Sequence, residues 1–339
     1  MSYTIVRQPF RSLSADNCLS AADGSAGSVY AITKTIAFKC PILFEDINLD
    51  RHSRAWMEEN IERLEKEKQV YKFLDLHPHP HLLQSILCTP EGIFMPRLET
   101  TLAARLSSET PSLELQERWI QQLISAAAWL EQLGYAHGDL RPHNILLDKW
   151  SNIVVADFDG TVRIGEELKL ATLPFCKVDE DFETLPAGPE TEQFSLGSCI
   201  YNIRFGFEPF SDLKLESPVW RLKLVRKEFP PTSNDVYGPI IQDCWHGVFP
   251  SINALQTEVL KISDPRSKAE LLSTSIRTTI PYLRSWFLLA QCQECVAQQR
   301  LRLSGSSFAR KIQLRCQLVL WSIARFGLSV FCGGESSTA

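Results

Sequence analysis

No stretch of this sequence reaches the roughly 18 charge-free apolar residues of a membrane-spanning helix. The first residues, MSYTIVRQPFRSLSADN, hold no long apolar run, so no secretory leader is expected. Ten cysteines are present, yet Cys292 and Cys295 are the only close pair, and no second pair completes a four-ligand zinc site. They are read as packing residues on a helix, and the scattered thiols as free in a reducing compartment. A dominant charge is missing as well: a formal net charge of -5 over 339 residues gives no global pull toward nucleic acid or membrane. Neither an internal repeat nor a low-complexity run is present. What remains is a globular composition, 44% hydrophobic and 22% charged, with room for one large domain or two ordinary ones.

The first hundred residues read as short strands around one helix. SVYAITKTIAFKC alternates and is rich in β-branched and aromatic residues, as a hairpin should be. WMEENIERLEKEKQVYKFLDL is helical in period, with Leu64, Val70, Tyr71 and Leu74 on one side and charges elsewhere. HPHPH at 77–81 ends it, because proline cannot continue a helix. His77, His79 and His81 are read as an extended turn, not as metal ligands. PEGIFMPRL reads as a strand pair ending at Pro96. From about Thr100 helices take over: TTLAARL, then the long amphipathic LQERWIQQLISAAAWLEQLGY. Two strands, NILLD and IVVADFDG, interrupt them, and helical patterns return from Phe194 to about Leu260. The expected fold class is α+β: a small β-rich lobe over residues 15–98 and a larger helical lobe over residues 99–262, flanked by extensions at 1–14 and 263–339.

Between the long helix and the strand pair lies YAHGDLRPHNILLD, dense in polar groups. Asp139 and Asn144 stand five residues apart, and Asp157 follows eighteen after Asp139, just past the second strand. Two carboxylates and an amide converging at one mouth suit a divalent cation that also holds phosphates, since these are the hard oxygen ligands of Mg²⁺. A further carboxylate can orient and deprotonate a hydroxyl nucleophile.

HGDLRPHN resembles the catalytic loop of the protein kinase family, usually written H-R-D-L-K-P-x-N, and DFDG resembles its D-F-G metal motif. Upstream, AADGSAGSVY is similar to the Gly-rich loop, AFKC to the strand with the phosphate-binding lysine, and EKQVY to the end of the lobe-bridging helix. Downstream, EQFSLGSCIY resembles the helix that anchors the catalytic loop, and DCWHG a late kinase helix. The likeness covers residues 15–262 and implies a two-lobed kinase-like fold. It also implies ATP-dependent phosphoryl transfer to a protein hydroxyl, more often Ser/Thr, with ATP and Mg²⁺ as cofactors. Asp139 would orient the acceptor and take its proton, and Arg141 would neutralise γ-phosphate charge in place of the usual lysine. Asn144 and Asp157 would hold the metal. Lys39 would pair with the α- and β-phosphates, positioned by Glu67. Gly24 and Gly27 would approach the phosphates, while Val29, Ala37 and Leu146 sandwich the adenine. Met95 would stand behind it, with the backbone of Pro96 to Leu98 along its edge. His137 is read as a packing and hydrogen-bonding residue.

The sequence also departs from the family pattern. Ala22 stands for the first glycine of the phosphate loop, Gly138 for the arginine before the catalytic Asp, and Asp159 for the glycine of D-F-G. Glu192 stands for the Asp that usually bonds the catalytic-loop backbone, and no A-P-E motif is recognisable, since PAGPE lies too close to Glu192. With no arginine at 138, activity is expected not to depend on phosphorylation of Thr161, Thr172 or Thr184. Two alternatives stand beside the protein kinase. One is a pseudokinase acting as a nucleotide-binding or scaffolding module. The other is a small-molecule phosphotransferase of the aminoglycoside or choline kinase type, whose H-G-D pattern Gly138 matches. The expected partners are a protein substrate and ATP, without nucleic acid or membrane, in the cytoplasm or alternatively the nucleus.

Residues 263–339 resemble nothing recognised and carry +6 against -11 for the rest. IPYLRSWFLLAQCQECVAQQRLRL and KIQLRCQLVLWSIARFGLSVF are helical in pattern, and Arg315 and Arg325 interrupt the second. Both are expected to pack on the large lobe or on each other, with a basic amphipathic surface for a membrane or partner as the alternative.

Overall fold

A computed structural model describes residues 18–20, 27–42, 51–170, 172–213, 216–262 and 288–298. Gly24 and Ala22, the extension 1–14 and the second C-terminal helical pattern lie outside the described residues.

The first lobe is an antiparallel sheet in the order β1-β2-β3-β5-β4. Its strands are β1 (Cys18–Ser20), β2 (Gly27–Ala31), β3 (Ile36–Pro41), β4 (Leu87–Thr89) and β5 (Gly92–Pro96). Alternation along β3 divides its two faces. Ala37 and Lys39 point to one side, and Ile36, Phe38 and Cys40 to the other. The register pairs Val29 with Lys39 and Ala37 with Met95 on the first face, and Phe38 with both Tyr30 and Phe94 on the second.

Between β3 and β4 runs α1 (Arg51–Leu76). It starts five residues before the expected Trp56, because RHSRA is polar and adds no apolar period. Its buried residues are Asn60, Leu64, Glu67, Lys68, Tyr71 and Leu74. The charges are therefore not all on the solvent side: Glu67 and Lys68 are buried, each beside an opposite charge. After α1 the chain turns at Pro78 and Pro80 and is stitched to the second lobe. Leu83 N–H donates to Val155 O, and Val155 N–H to His81 O, both at 2.8 Å.

The second lobe is built on α2 (Leu102–Ser108), α3 (Leu113–Gln132), α4 (Pro189–Phe205), α5 (Ser217–Val225), α6 (Gly238–His246) and α7 (Ile252–Ile262). Ser112 Oγ caps α3 by accepting from Leu115 N–H at 3.3 Å. Residues Thr191 to Ile203 of α4 are all buried. A helix buried on every side is a central post rather than a surface element, which explains why α4 has no strong apolar stripe. Gly197 lets α6 come close: a Cβ there would meet the Cβ of Cys244 at 2.7 Å. Trp245 of α6 fills the junction and donates from Nε1 to Ser198 Oγ at 2.9 Å.

Two small sheets sit at the top of this lobe. One is β7 (Tyr135–Ala136) with β10 (Val162–Arg163), and the other is β6 (Thr100–Thr101), β8 (Ile145–Leu147) and β9 (Ile153–Val155). They leave the loop after β7 and the loop after β9 facing each other below the first lobe.

Residues 288–298 form a further helix, α8. Cys292 and Val296 are buried in a cluster with Tyr30, Ile36, Phe38, Cys40 and Phe94. The expectation that this segment packs on the large lobe is thus corrected: α8 covers the outer face of the five-stranded sheet, while its packing on the second helical pattern falls outside the described residues. That face carries two phenylalanines and a tyrosine, whose exposure to water would be costly, and the large lobe is already filled around α4. Among the described residues no helix is long and apolar enough to cross a membrane, and every cysteine is free.

Candidate active site

Lys39 rises from β3 and is buried. Its ammonium lies 2.7 Å from Glu67 Oε2 on α1 and also donates to Asp157 Oδ1. Burial works against a charged Lys39, but Asp157 and then Glu67 outweigh it, so its pKa is raised and the ammonium stays protonated. Burial pushes the Glu67 carboxyl up to about 7 against the pull of Lys39. At Asp157 burial also pulls upward, yet Lys39 dominates and the pKa is lowered. Asp157 keeps 33% of its side chain exposed, so one face opens to the mouth.

The loop after β7 is held from below. Glu192 of α4 accepts the His137 N–H on Oε2 at 2.9 Å and the Gly138 N–H on Oε1 at 3.1 Å. Its carboxyl is pushed up by burial against these bonds. His137 bridges instead of reaching the mouth: Nε2 lies 3.0 Å from Ala156 O, and Nδ1 accepts the Asp139 N–H at 3.3 Å. The imidazole is thus a spacer between the two loops.

Asp139 is buried at the mouth. Its Oδ2 accepts from Asn144 Nδ2 at 2.7 Å and from Arg141 Nε at 3.1 Å. Burial raises its pKa, opposed by Arg141, His137, Thr172 and Asn144. Asn144 Nδ2 also donates to Asp139 O at 2.9 Å. With Nδ2 committed twice, Oδ1 is the atom left to face a metal. A partly open carboxylate at 157 and one amide oxygen at 144 make a sparse donor set. Among the described residues no group of three or more His, Cys, Asp or Glu side chains is arranged to hold a metal ion. That sparseness fits Mg²⁺, which keeps several waters and takes one or two protein oxygens beside substrate phosphates.

The structure places the remaining predicted residues on the five-stranded sheet or against the core that both lobes share. Ala37 and Met95 are buried cross-strand neighbours, while Val29, Leu98 and Leu146 are partly buried against the same core. Gly27 opens β2, adjacent to the undescribed part of its loop.

No family model matches the chain. Curated relatives do. The chain is 31% identical over 161 residues to a carbon catabolite-derepressing protein kinase of Secale cereale, covering 44% of this chain and 32% of the relative. It is 29% identical over 174 residues to the serine/threonine protein kinase OSK3 of Oryza sativa subsp. indica, covering 48% and 34%. It is 32% identical over 120 residues to the serine/threonine-protein kinase MRCK gamma of Mus musculus, covering 32% and 8%. The chain spans about a third of the length of the first of these relatives.

This chain carries a protein kinase-like domain.

Two departures of this kinase-like domain from its family pattern have a physical basis. Gly138 has φ +78°, and a Cβ there would lie 2.3 Å from Gly160 O. The two loops of the kinase-like site therefore approach more closely at this point than any side-chain-bearing residue at 138 permits. Asp159, in place of glycine, turns toward α1, where its Oδ2 lies 2.5 Å from an Arg63 guanidinium nitrogen. Arg63 went unrecognised in the sequence, since α1 carries charges at most positions and the partner is 96 residues away.

Proposed function

We propose that the kinase-like domain transfers the γ-phosphoryl group of ATP to a Ser or Thr hydroxyl of a protein. The observation that carries this reading is the pairing of Lys39 with both Glu67 and Asp157, the latter on a loop that His137 braces against the loop of the Asp139–Asn144 pair. In this reading Lys39 holds the α- and β-phosphates, and Glu67 fixes its direction. Asp157 and Asn144 Oδ1 would hold Mg²⁺, which spreads the charge of the transferring group. The Asp139 carboxylate orients the acceptor hydroxyl and takes its proton as the new O–P bond forms and the bond to the leaving ADP breaks. Arg141 neutralises γ-phosphate oxygens while steering Asp139. The protein acceptor is inferred from the serine/threonine kinases among the relatives.

Gly138 favours a second reading, a small-molecule phosphotransferase, because the H-G-D pattern recurs there. Incubation of the chain with γ-labelled ATP and Mg²⁺ separates the readings. Label on a generic basic protein or on the chain itself supports the protein kinase, and label on choline or an aminoglycoside supports the second reading. ATP binding with no label on any acceptor supports a pseudokinase.

A further inference from the structure

On α1, Arg63, Glu67 and Tyr71 follow one another at four-residue spacing, so they share one face. Each meets the loop after β9 or its lysine. Arg63 pairs with Asp159 at 2.5 Å, and Glu67 pairs with Lys39 at 2.7 Å, which in turn bonds Asp157. The Tyr71 ring sits edge-on to Phe158 with centroids 5.2 Å apart. Every residue from 157 to 159 is thus matched by a residue on successive turns of α1, directly or through Lys39.

Charge makes the first of these contacts necessary. Glu67, Asp157 and Asp159 bring three carboxylates together against Lys39 and Arg63. The Asp159 side chain is only 5% exposed, and its charge reaches both Lys39 and Glu67. Without Arg63 it would be a buried carboxylate with no matched cation beside it, and such a charge is strongly destabilising. The nearest remedy would be to turn toward Lys39 or toward the metal face of Asp157. Either move disturbs the groups assigned to phosphate.

We propose that Arg63 is a positioning residue: by holding Asp159 against α1 it keeps this extra carboxylate away from Lys39 and the Asp157 metal face, and fixes the loop after β9 to the helix. The proposal rests on the nucleotide reading above. Its signature is rescue, because Arg63 is needed only as long as Asp159 is present.

The test is a double-mutant cycle on the full chain, comparing wild type, Arg63→Ala, Asp159→Gly and the double variant. Mg²⁺–ATP binding is followed by calorimetry, and unfolding by urea. Arg63→Ala should weaken Mg²⁺–ATP binding tenfold or more, and adding Asp159→Gly should return it to within threefold of wild type. The unfolding constants should depart from multiplicativity by fivefold or more. A double variant that binds no better than Arg63→Ala overturns the proposal, since a purely packing role for Arg63 would leave that loss in place. Unfolding constants that multiply within twofold overturn it as well. If wild type itself shows no Mg²⁺-dependent binding, the nucleotide reading fails, and the urea cycle still decides whether the pair couples.

Discussion

The loop at 137–144 and the loop at 157–160 both emerge from the small sheets of the second lobe, yet they are tied to different halves of the molecule. The first is fixed from below, by two backbone N–H groups on the buried Glu192 of α4. The second is fixed from above, by Lys39, by Arg63 and by the Tyr71 ring. Between them His137 is the common brace. The difference teaches how labour can be divided. In the proposed reading, Lys39 and Asp157, which would meet phosphate and metal, are tied to the first lobe and α1, while the loop that carries Asp139, Arg141 and Asn144 is tied to the post of the second lobe.

The comparison is broken most severely at Asp139. Asp139→Asn should lower turnover by about 10²-fold or more, the scale of a lost general base, since an amide cannot take the hydroxyl proton. Steady-state transfer assays read this, and unchanged turnover would remove Asp139 from the chemistry.

Removing the lower anchor comes next. Glu192→Ala leaves two N–H groups, one buried and one partly buried, without their acceptor and should destabilise the chain by about 2–5 kcal/mol in urea titrations. Glu192→Gln keeps one acceptor oxygen and should recover part of that. An alanine variant as stable as wild type would mean the loop is held by something else.

Gly138 sharpens the comparison at the point where the loops nearly touch. Restoring the usual arginine of the family, Gly138→Arg, places a Cβ 2.3 Å from Gly160 O at φ +78°. Strain of this kind costs about 1–3 kcal/mol, so the variant should melt earlier and gain no activity. A variant with wild-type melting would show that the loops can part without penalty.

The smallest effect lies in the stitch between the lobes. His79 is held neutral: its Nδ1 accepts the His81 N–H at 3.2 Å, and Nε2 faces Ser125 Oγ at 3.2 Å. Burial and then His81 lower its pKa from 6.5 to about 3. A lowered folded pKa means the stabilisation is complete above 6.5 and is lost as pH falls from 6.5 toward 3. At pH 5 the loss should be about 1–2 kcal/mol relative to pH 7.5. His79→Gln should narrow the gap between urea midpoints at the two pH values, and an unchanged gap would assign the acid sensitivity to other groups.

Much of the architecture could be read in the sequence because its signals are local. The hairpin of β2 and β3, the proline stop after α1 and the polar loop before β8 each announce themselves within a dozen residues. Partners far along the chain were less readable. Glu192 could be placed by its position in a motif, whereas Arg63 belongs to none and looks like any solvated charge on α1. Lys68 was hidden for the same reason: burial beside Glu65 and Pro90 O leaves no periodic mark. Apolar spacing in α8 indicated a buried face, but spacing cannot name what covers it, and the sheet was the partner rather than the large lobe.

The division between the two loops is tested most directly by titrating ATP, with and without Mg²⁺, into wild type, Asp157→Ala and Asp139→Asn. The account predicts Mg²⁺-dependent binding in wild type, its loss in Asp157→Ala, and affinity within threefold of wild type in Asp139→Asn. Equal binding by all three proteins, or no Mg²⁺-dependent binding by wild type, would contradict it.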